Sequence, residues 1–246
     1  MKTKIIAHRG ASGYAPENTM ASFLKALEMG ADGIELDIHL SADEHLIVCH
    51  DEKVDRTTNG EGFIKDLSLK MLKELDAGSW FDEKYINQKI PTLEEVLELL
   101  IGKNILLNIE IKSGPIFYNG IEKRIVEVIS KYGYINQTIF SSFNHFSLVD
   151  IKKINNKLKT APLYMAGLVN PWKYAKEIGA DGIHPMFYGI NSDIVKGCLE
   201  HNLFINTFTV NAPHHLKSII DLGVTGVITN YPDIGLDLKI KKSIGE

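Results

Sequence analysis

The feature that most restricts how this chain can fold is a phrase it uses three times. "EMGADGIELD" (28–37), "EIGADGIHPM" (177–186) and "DLGVTGVITN" (221–230) each run from a helix end to a glycine, two residues, a second glycine and a short apolar strand. Gly30, Gly179 and Gly223 suit helix C-caps, where a left-handed backbone costs glycine little. Gly33, Gly182 and Gly226 then open strands. This is the helix-to-strand loop of a repeated βα unit.

The segments between obey the same grammar. "NTMASFLKALEMG" places Met20, Phe23, Leu24 and Leu27 on one helical face, with Asn18 or Thr19 as cap. "GIEKRIVEVISKYG" does the same with Ile121, Ile125, Val128, Ile129 and Tyr132. Strands are predicted at 4–8, 33–39, 105–111, 138–142, 159–164, 182–185, 204–209 and 226–229. Eight strands alternating with helices imply parallel pairing. The length of 246 residues is close to the roughly 250 typical of a (β/α)8 barrel. The expected fold is therefore α/β, a (β/α)8 TIM barrel spanning 1–246 as a single domain. Two pieces break the alternation. "HLIVCHD" (45–51) follows strand 33–39 after a turn too short for a parallel crossover, which predicts a hairpin. Residues 52–90 then read as an insertion, with a polar loop "RTTNGEG", a helix from Ser68 to Leu75 and an aromatic loop holding Trp80, Phe81 and Tyr85. These aromatics form either the insertion's own small core or a lip over the site. Thr92 and Glu95 then make a capping box for the next helix.

Composition excludes several function classes. With 27 basic against 31 acidic residues and a net charge of -4, there is no electrostatic footprint for nucleic acid. No apolar run approaches a membrane span, and "KIKKSIGE" is too small a basic tail to anchor one. Only three apolar residues precede His8, too few for a secretory signal. Cys49 and Cys198 lie far apart and read as buried thiols, so a cytoplasmic location is expected.

Barrel active sites lie at the C-terminal ends of the strands, so polar side chains late in strands are the candidates. His8 and Arg9 end the first strand. "IELDIH" carries Glu35 and Asp37, and "LLNIEIK" carries Glu110 and Lys112. Residues two apart share a face, so Glu35 and Asp37 point together, as do Glu110 and Lys112. Three carboxylates at one mouth repel unless paired or bound to a cation. An oxygen-only donor set argues for Mg²⁺ or Ca²⁺ over zinc. The alternative is a structural network in which the carboxylates pair with Arg9 and Lys112. A hairpin turning at 41–44 pairs 39 near 46, 37 near 48 and 35 near 50, which sets His50 beside Glu35, at the same mouth as His8. Histidine gives and takes protons near neutrality, and Arg9 suits bidentate phosphate contact. Together these residues describe metal-assisted phosphoryl chemistry with two acid/base histidines.

"HRGASGYAPENT", "GIELDIHLSADEHLIVCHD", "RTTNGEG", "IPTLEEVL", "LNIEIK", "SSF", "TFTVN" and "GVITNYP" follow one another in a pattern that resembles the glycerophosphodiester phosphodiesterase family, from about residue 4 to 234. The resemblance implies a barrel with an insertion after the hairpin and hydrolysis of a glycerophosphodiester to glycerol 3-phosphate and an alcohol. By match of motif, His8 and His50 resemble the acid/base pair, Glu35, Asp37 and Glu110 the ligands of one divalent cation, and Arg9 and Lys112 the phosphate-contacting cations. Phe208, in "FTVN", stands where the family often has tryptophan and is a substrate-wall candidate. Asn230 stands where it often has aspartate. Both bear on substrate preference. The implied partner is a small-molecule glycerophosphodiester, without nucleic acid or a stable membrane anchor; the sequence sets no oligomeric state. Rival readings are a lysophospholipase D-like or cyclising phospholipase-type enzyme, a non-catalytic binding barrel, and an aldolase-like or isomerase barrel. The insertion argues against a lipid-facing mouth. Elsewhere, Glu17 either reaches the site or serves a helix N-terminus. His39 and His45 are expected to be exposed beside the hairpin turn, and His184 is a candidate for facing the mouth.

Overall fold

Apolar and polar residues alternate along the strands, sending successive side chains to opposite faces, and this alternation decides what lines the barrel. The computed structural model describes residues 3–244. Its strands are β1 (Lys4–His8), β2 (Gly33–Leu40), β3 (Leu46–Val48), β4 (Leu106–Ile111), β5 (Thr138–Ser142), β6 (Lys159–Tyr164), β7 (Gly182–Pro185), β8 (Phe204–Thr207) and β9 (Gly226–Thr229). All but β3 pair in parallel, in the ring β1-β2-β4-β5-β6-β7-β8-β9, which closes where β9 pairs β1. Helices cover the outside: α1 (Met20–Glu28), α3 (Leu93–Leu100), α4 (Ile121–Lys131), α5 (His145–Ile154), α6 (Pro171–Glu177), α7 (Ser192–Glu200), α8 (Pro213–Leu222) and α9 (Pro232–Ile244). The short α2 (Leu69–Glu74) follows the hairpin. The expected (β/α)8 barrel is the observed fold.

Ile34, Leu36 and Ile38 of β2 and Leu107, Ile109 and Ile111 of β4 face the helices, in one apolar cluster with Leu97 and Ile125. Ile183, Ile205 and Val227 do so in a second cluster, with Val195, Leu216 and Ile220. The opposite parity leaves the barrel interior polar. Asn108 Nδ2 donates to Ser141 Oγ at 2.9 Å, and Asn206 Nδ2 lies 3.1 Å from His184 Nε2. The repeated glycines are the helix stops the sequence implied, with φ of 79° at Gly30, 72° at Gly179 and 81° at Gly223. Cys49 and Cys198 are free and buried. Among the described residues no helix is long and apolar enough to cross a membrane.

His184 does not face the mouth. It is fully buried, its Nδ1 has no hydrogen-bond partner, and burial pushes its pKa down to about 3. The imidazole is therefore neutral in the fold but titrates near 6.5 once unfolded. Its contribution to stability is complete at neutral pH and lost as pH falls below 6.5, by roughly 2 kcal/mol at pH 5. Thermal unfolding should show Tm falling from pH 7 to 5, and His184→Asn should flatten that slope; an unchanged slope would place the acid sensitivity elsewhere.

The hairpin departs from expectation by one residue. Ile38 pairs Val48, His39 pairs Ile47 and Leu40 pairs Leu46. The turn is five residues long, not four: Glu44 adopts φ 62° and Ser41 N–H donates to His45 O at 3.0 Å. The ladder ends at Val48, with Cys49 N–H donating to Asp37 O at 3.1 Å. His39 is not exposed but buried, its Nδ1 2.9 Å from Tyr118 Oη and its Nε2 3.1 Å from His50 O. The cause is that β2 is buried along its whole length, with the loop after β4 bringing Tyr118 over its end. His45 is exposed, as expected. Beyond the hairpin, the aliphatic residues Ile47, Val54, Ile64, Leu72 and Ile90 make a third apolar cluster. Trp80, Phe81 and Tyr85 stack edge-to-face outside it, and Tyr85 Oη donates to Tyr14 O at 2.8 Å.

Candidate active site

The turn after β1 is built from residues that tolerate a left-handed backbone or are forced into one. Arg9 has φ 54° and Gly10 φ 80°. A Cβ on Gly10 would lie 2.4 Å from Ser22 Oγ, and one on Gly13 2.3 Å from the Tyr231 ring. Glycine is therefore required at both, and the chain folds back onto α1. Arg9 N–H donates to Glu35 Oε2 at 2.9 Å and Ser22 Oγ donates to Arg9 O at 2.9 Å, which holds the non-glycine residue in a costly conformation. The effect is to turn the guanidinium into the mouth: Arg9 Nη1 meets Glu17 Oε1 at 2.9 Å and Nε lies 3.4 Å from Asp37 Oδ2. His8 Nδ1 is 2.7 Å from Asn230 Oδ1. An amide oxygen only accepts, so Nδ1 carries the proton and Nε2 is left as an acceptor. Burial, followed by the nearby Arg9 charge, lowers the His8 pKa to about 4.

Glu35, Asp37 and Glu110 bring one carboxylate oxygen each within 4.8 Å of one another. Backbone pairing explains this, since Asp37 sits opposite Glu110 in the β2–β4 ladder and Glu35 opposite His8 in the β1–β2 ladder. Lys112 Nζ contacts Glu110 Oε1 at 2.8 Å and Asp37 Oδ1 at 3.6 Å. Asn18 Nδ2 donates to Asp37 Oδ2 at 2.9 Å. Burial alone would push Asp37 up, but Lys112 and Arg9 hold its carboxyl below the usual range. Burial and the charges of Asp37 and Glu110 push Glu35 well up, and burial and Asp37 push Glu110 up. Two cations thus leave the cluster short of positive charge. Asp37 Oδ1 is buried without a hydrogen-bond partner. Clustered hard oxygens, an orphaned carboxylate oxygen and unrelieved like-charge repulsion are what a Mg²⁺ or Ca²⁺ ion would satisfy, so the residues fit such an ion. His8, Glu35, Glu110 and Phe208 line one cavity with Leu163, and the Phe208 ring meets Phe143 edge-on with centroids 5.8 Å apart.

His50 lies beyond the ladder, which ends at Val48, and within electrostatic reach of Asp37 and Glu110. Its Nδ1 is 2.6 Å from Asp51 Oδ1, and the His39 ring fixes its carbonyl. Arg56, from the segment after the hairpin, joins the two halves of the mouth. Its Nε and Nη2 reach Asp51 at 2.7 and 3.1 Å, and its Nη1 and Nη2 reach Glu17 at 3.0 and 2.8 Å. A continuous chain of charge-assisted contacts therefore runs Arg9–Glu17–Arg56–Asp51–His50. Against opposing burial, Arg56 and His50 hold the Asp51 pKa at about 2, and Arg56 and Arg9 hold Glu17 below the usual range. Glu17 does reach the site. Sequence reasoning did not single out Asn18, Asp51 or Arg56 for the site, although each lies inside a motif it quoted: "PENT", "HD" and "RTTNGEG".

A family model described as the glycerophosphoryl diester phosphodiesterase family matches residues 8–234. The chain belongs to this family. The family expected from the motifs is borne out, and the matched segment contains every residue placed above at the mouth. The chain is similar to the glycerophosphodiester phosphodiesterase of Caldanaerobacter subterraneus subsp. tengcongensis, with 48% identity over 97% of this chain and 98% of that one. It is similar to a Bacillus subtilis glycerophosphodiester phosphodiesterase at 41% identity, over 96% and 86% of the two chains. A solved phosphodiesterase of Oleispira antarctica, in complex with the product sn-glycerol-3-phosphate, superposes with a TM-score of 0.87 at 31% identity and covers 96% of each chain.

Proposed function

We propose that this member of the family hydrolyses glycerophosphodiesters to glycerol 3-phosphate and an alcohol with the help of one divalent cation. The observation that carries the reading is the convergence on one mouth of three clustered carboxylates, two fixed cations and two imidazoles with free Nε2 atoms. The product held by the Oleispira relative supports the substrate class. Glu35, Asp37 and Glu110 would hold Mg²⁺ or Ca²⁺; when bound there, the ion supplies positive charge against the charge developing on the phosphate. Arg9 and Lys112 bind and orient the phosphate oxygens. The Arg9 Nε makes no hydrogen bond and sits in an ion pair with Asp37, which sets the guanidinium at the rim of the carboxylate cluster.

The two histidines differ in what holds them. His8 is backed by a neutral amide, so a neutral ring is favoured, and Nε2 takes the proton from the attacking water or glycerol hydroxyl. His50 Nδ1 is held by the Asp51 carboxylate, which fixes the ring with Nε2 turned from that contact, so it gives the proton to the leaving alcohol. Phe208 forms an apolar wall to the cavity. The 52–90 insertion, within one barrel domain, supplies Arg56 to the site, and the two free thiols favour a cytoplasmic location. Phosphorus NMR of the reaction with glycerophosphocholine tests the reaction class. Glycerol 3-phosphate should accumulate as the final product; a stable cyclic phosphate would instead indicate a cyclising enzyme, and no turnover a binding barrel.

A further inference from the structure

A proton donor must hold its position, yet His50 lies just past the end of regular structure. The antiparallel ladder stops where Ile38 pairs Val48. Cys49 N–H still donates to Asp37 O at 3.1 Å, and backbone pairing resumes where Ile64 N–H donates to Glu52 O at 2.9 Å. His50 falls in the gap between. Asp51 and Arg56 hold its ring from the Nδ1 side, which leaves open what holds the backbone that carries the ring.

A side chain of β2 supplies that hold. His39 follows Glu35 and Asp37 at the spacing that keeps side chains on one strand face, and it is 3% exposed. Its Nε2 lies 3.1 Å from His50 O and its Nδ1 2.9 Å from Tyr118 Oη. A carbonyl oxygen only accepts, so Nε2 carries the proton. Burial disfavours the charged ring, which leaves Nδ1 to accept the phenol hydrogen. The two rings meet edge-on, with centroids 5.6 Å apart at 75°. Tyr118 comes from the loop after β4, which opens with Lys112. Its neighbours Phe117 and Asn119 are exposed while Tyr118 is half-buried, so the phenol anchors that part of the loop. A leucine at 39 would fill much of the same space without the cost of desolvating an imidazole. What the histidine adds is its two hydrogen bonds.

We propose that His39 and Tyr118 are positioning residues for His50: the His39 imidazole fixes the His50 carbonyl, and Tyr118 fixes that imidazole. The inference rests on the reading of His50 as the group that protonates the leaving alcohol. His50 is then held at two points, its ring by Asp51 and Arg56 and its main chain by His39. Both matter because proton transfer tolerates little error in distance; a misplacement of about 1 Å costs about 10²-fold. The second hold also joins the proton donor to a phosphate cation, since Lys112 opens the loop whose Tyr118 seats His39. Neither positioning residue acts on the substrate directly.

The test measures kcat and KM of the full chain, with Mg²⁺ or Ca²⁺ in excess, on glycerophosphocholine and on a p-nitrophenyl glycerophosphodiester, whose leaving group needs no proton. His39→Leu keeps the apolar bulk and removes the donor. His39→Gln returns an N–H at the reach of Nε2, and Tyr118→Phe removes only the hydroxyl. The proposal expects His39→Leu to lower kcat on glycerophosphocholine about 10–100-fold, with KM unchanged and the p-nitrophenyl rate kept within about twofold. His39→Gln should recover most of that loss, and Tyr118→Phe should cost about fivefold on the choline ester alone. His50→Ala is the reference. A His39→Leu loss that falls equally on both esters, while His50→Ala spares the p-nitrophenyl ester, overturns the inference and makes His39 a support of the carboxylate cluster instead. An unchanged rate, or a loss that His39→Gln does not relieve, overturns it as well. Equal loss on both esters in His50→Ala overturns the acid reading; the positioning role then stands only if His39→Leu copies that profile and His39→Gln relieves it.

Discussion

His8→Ala should abolish hydrolysis of both glycerophosphocholine and a p-nitrophenyl glycerophosphodiester, whereas His50→Ala should abolish only the first. An alkoxide such as choline's leaves poorly, so a proton delivered to it is worth about 10²–10⁴ in rate. A p-nitrophenolate needs no such proton. The base is needed for both substrates, because the nucleophile is the same. The structure assigns opposite surroundings to the two rings: His8 Nδ1 meets the Asn230 amide oxygen at 2.7 Å, and His50 Nδ1 meets the Asp51 carboxylate at 2.6 Å. Initial rates of both variants on both substrates decide the matter. The mirrored pattern would exchange the roles, and equal loss on both substrates in both variants would remove the division of labour.

Arg56→Ala should lower kcat on glycerophosphocholine by about 10–100-fold, the usual loss when a group that orients a catalytic residue is removed. Its side chain is half exposed, and an ordinary surface ion pair would be worth almost nothing. The difference here is geometry. One guanidinium forks onto two carboxylates, Asp51 behind His50 and Glu17 behind Arg9. Arg56→Lys keeps the charge but cannot make both forks, so it should recover little. Added guanidinium should rescue Arg56→Ala, and the low-field Nδ1 proton of His50 in the NMR spectrum should weaken or shift in the variant. Wild-type kinetics with an unchanged His50 signal would reduce Arg56 to a surface contact.

Much of this site was legible because barrel geometry converts sequence parity into spatial proximity. Glu35 with Asp37, and Glu110 with Lys112, share faces by their spacing of two, and the parallel β2–β4 ladder then sets Asp37 opposite Glu110. The glycine phrases revealed the unit that makes the strands parallel. The position of His50 was less legible, since register depends on turn length, and Glu44 at φ 62° adds a residue that no hydrophobic pattern records. His39 looked like a turn residue because the Tyr118 that covers it comes from the loop after β4, 79 positions along the chain. Asn18 was read as one of two possible helix caps, and Glu17 as either a site residue or part of the helix N-terminus. Thr19 is the cap, through its side chain and Ser22, which leaves Asn18 free at φ 55° to donate to Asp37.

The claim on which the rest depends is that Glu35, Asp37 and Glu110 hold a hard divalent cation needed for turnover. The direct measurement is calorimetric titration of chelator-treated protein with Mg²⁺ and with Ca²⁺, paired with turnover of glycerophosphocholine at each metal concentration. The account predicts one site per chain, no turnover without metal, and recovery that follows site occupancy. It also predicts that Asp37→Asn weakens binding in the calorimeter while the circular dichroism of the barrel is kept. Full turnover by the metal-free protein, or binding unaffected by Asp37→Asn, would contradict it.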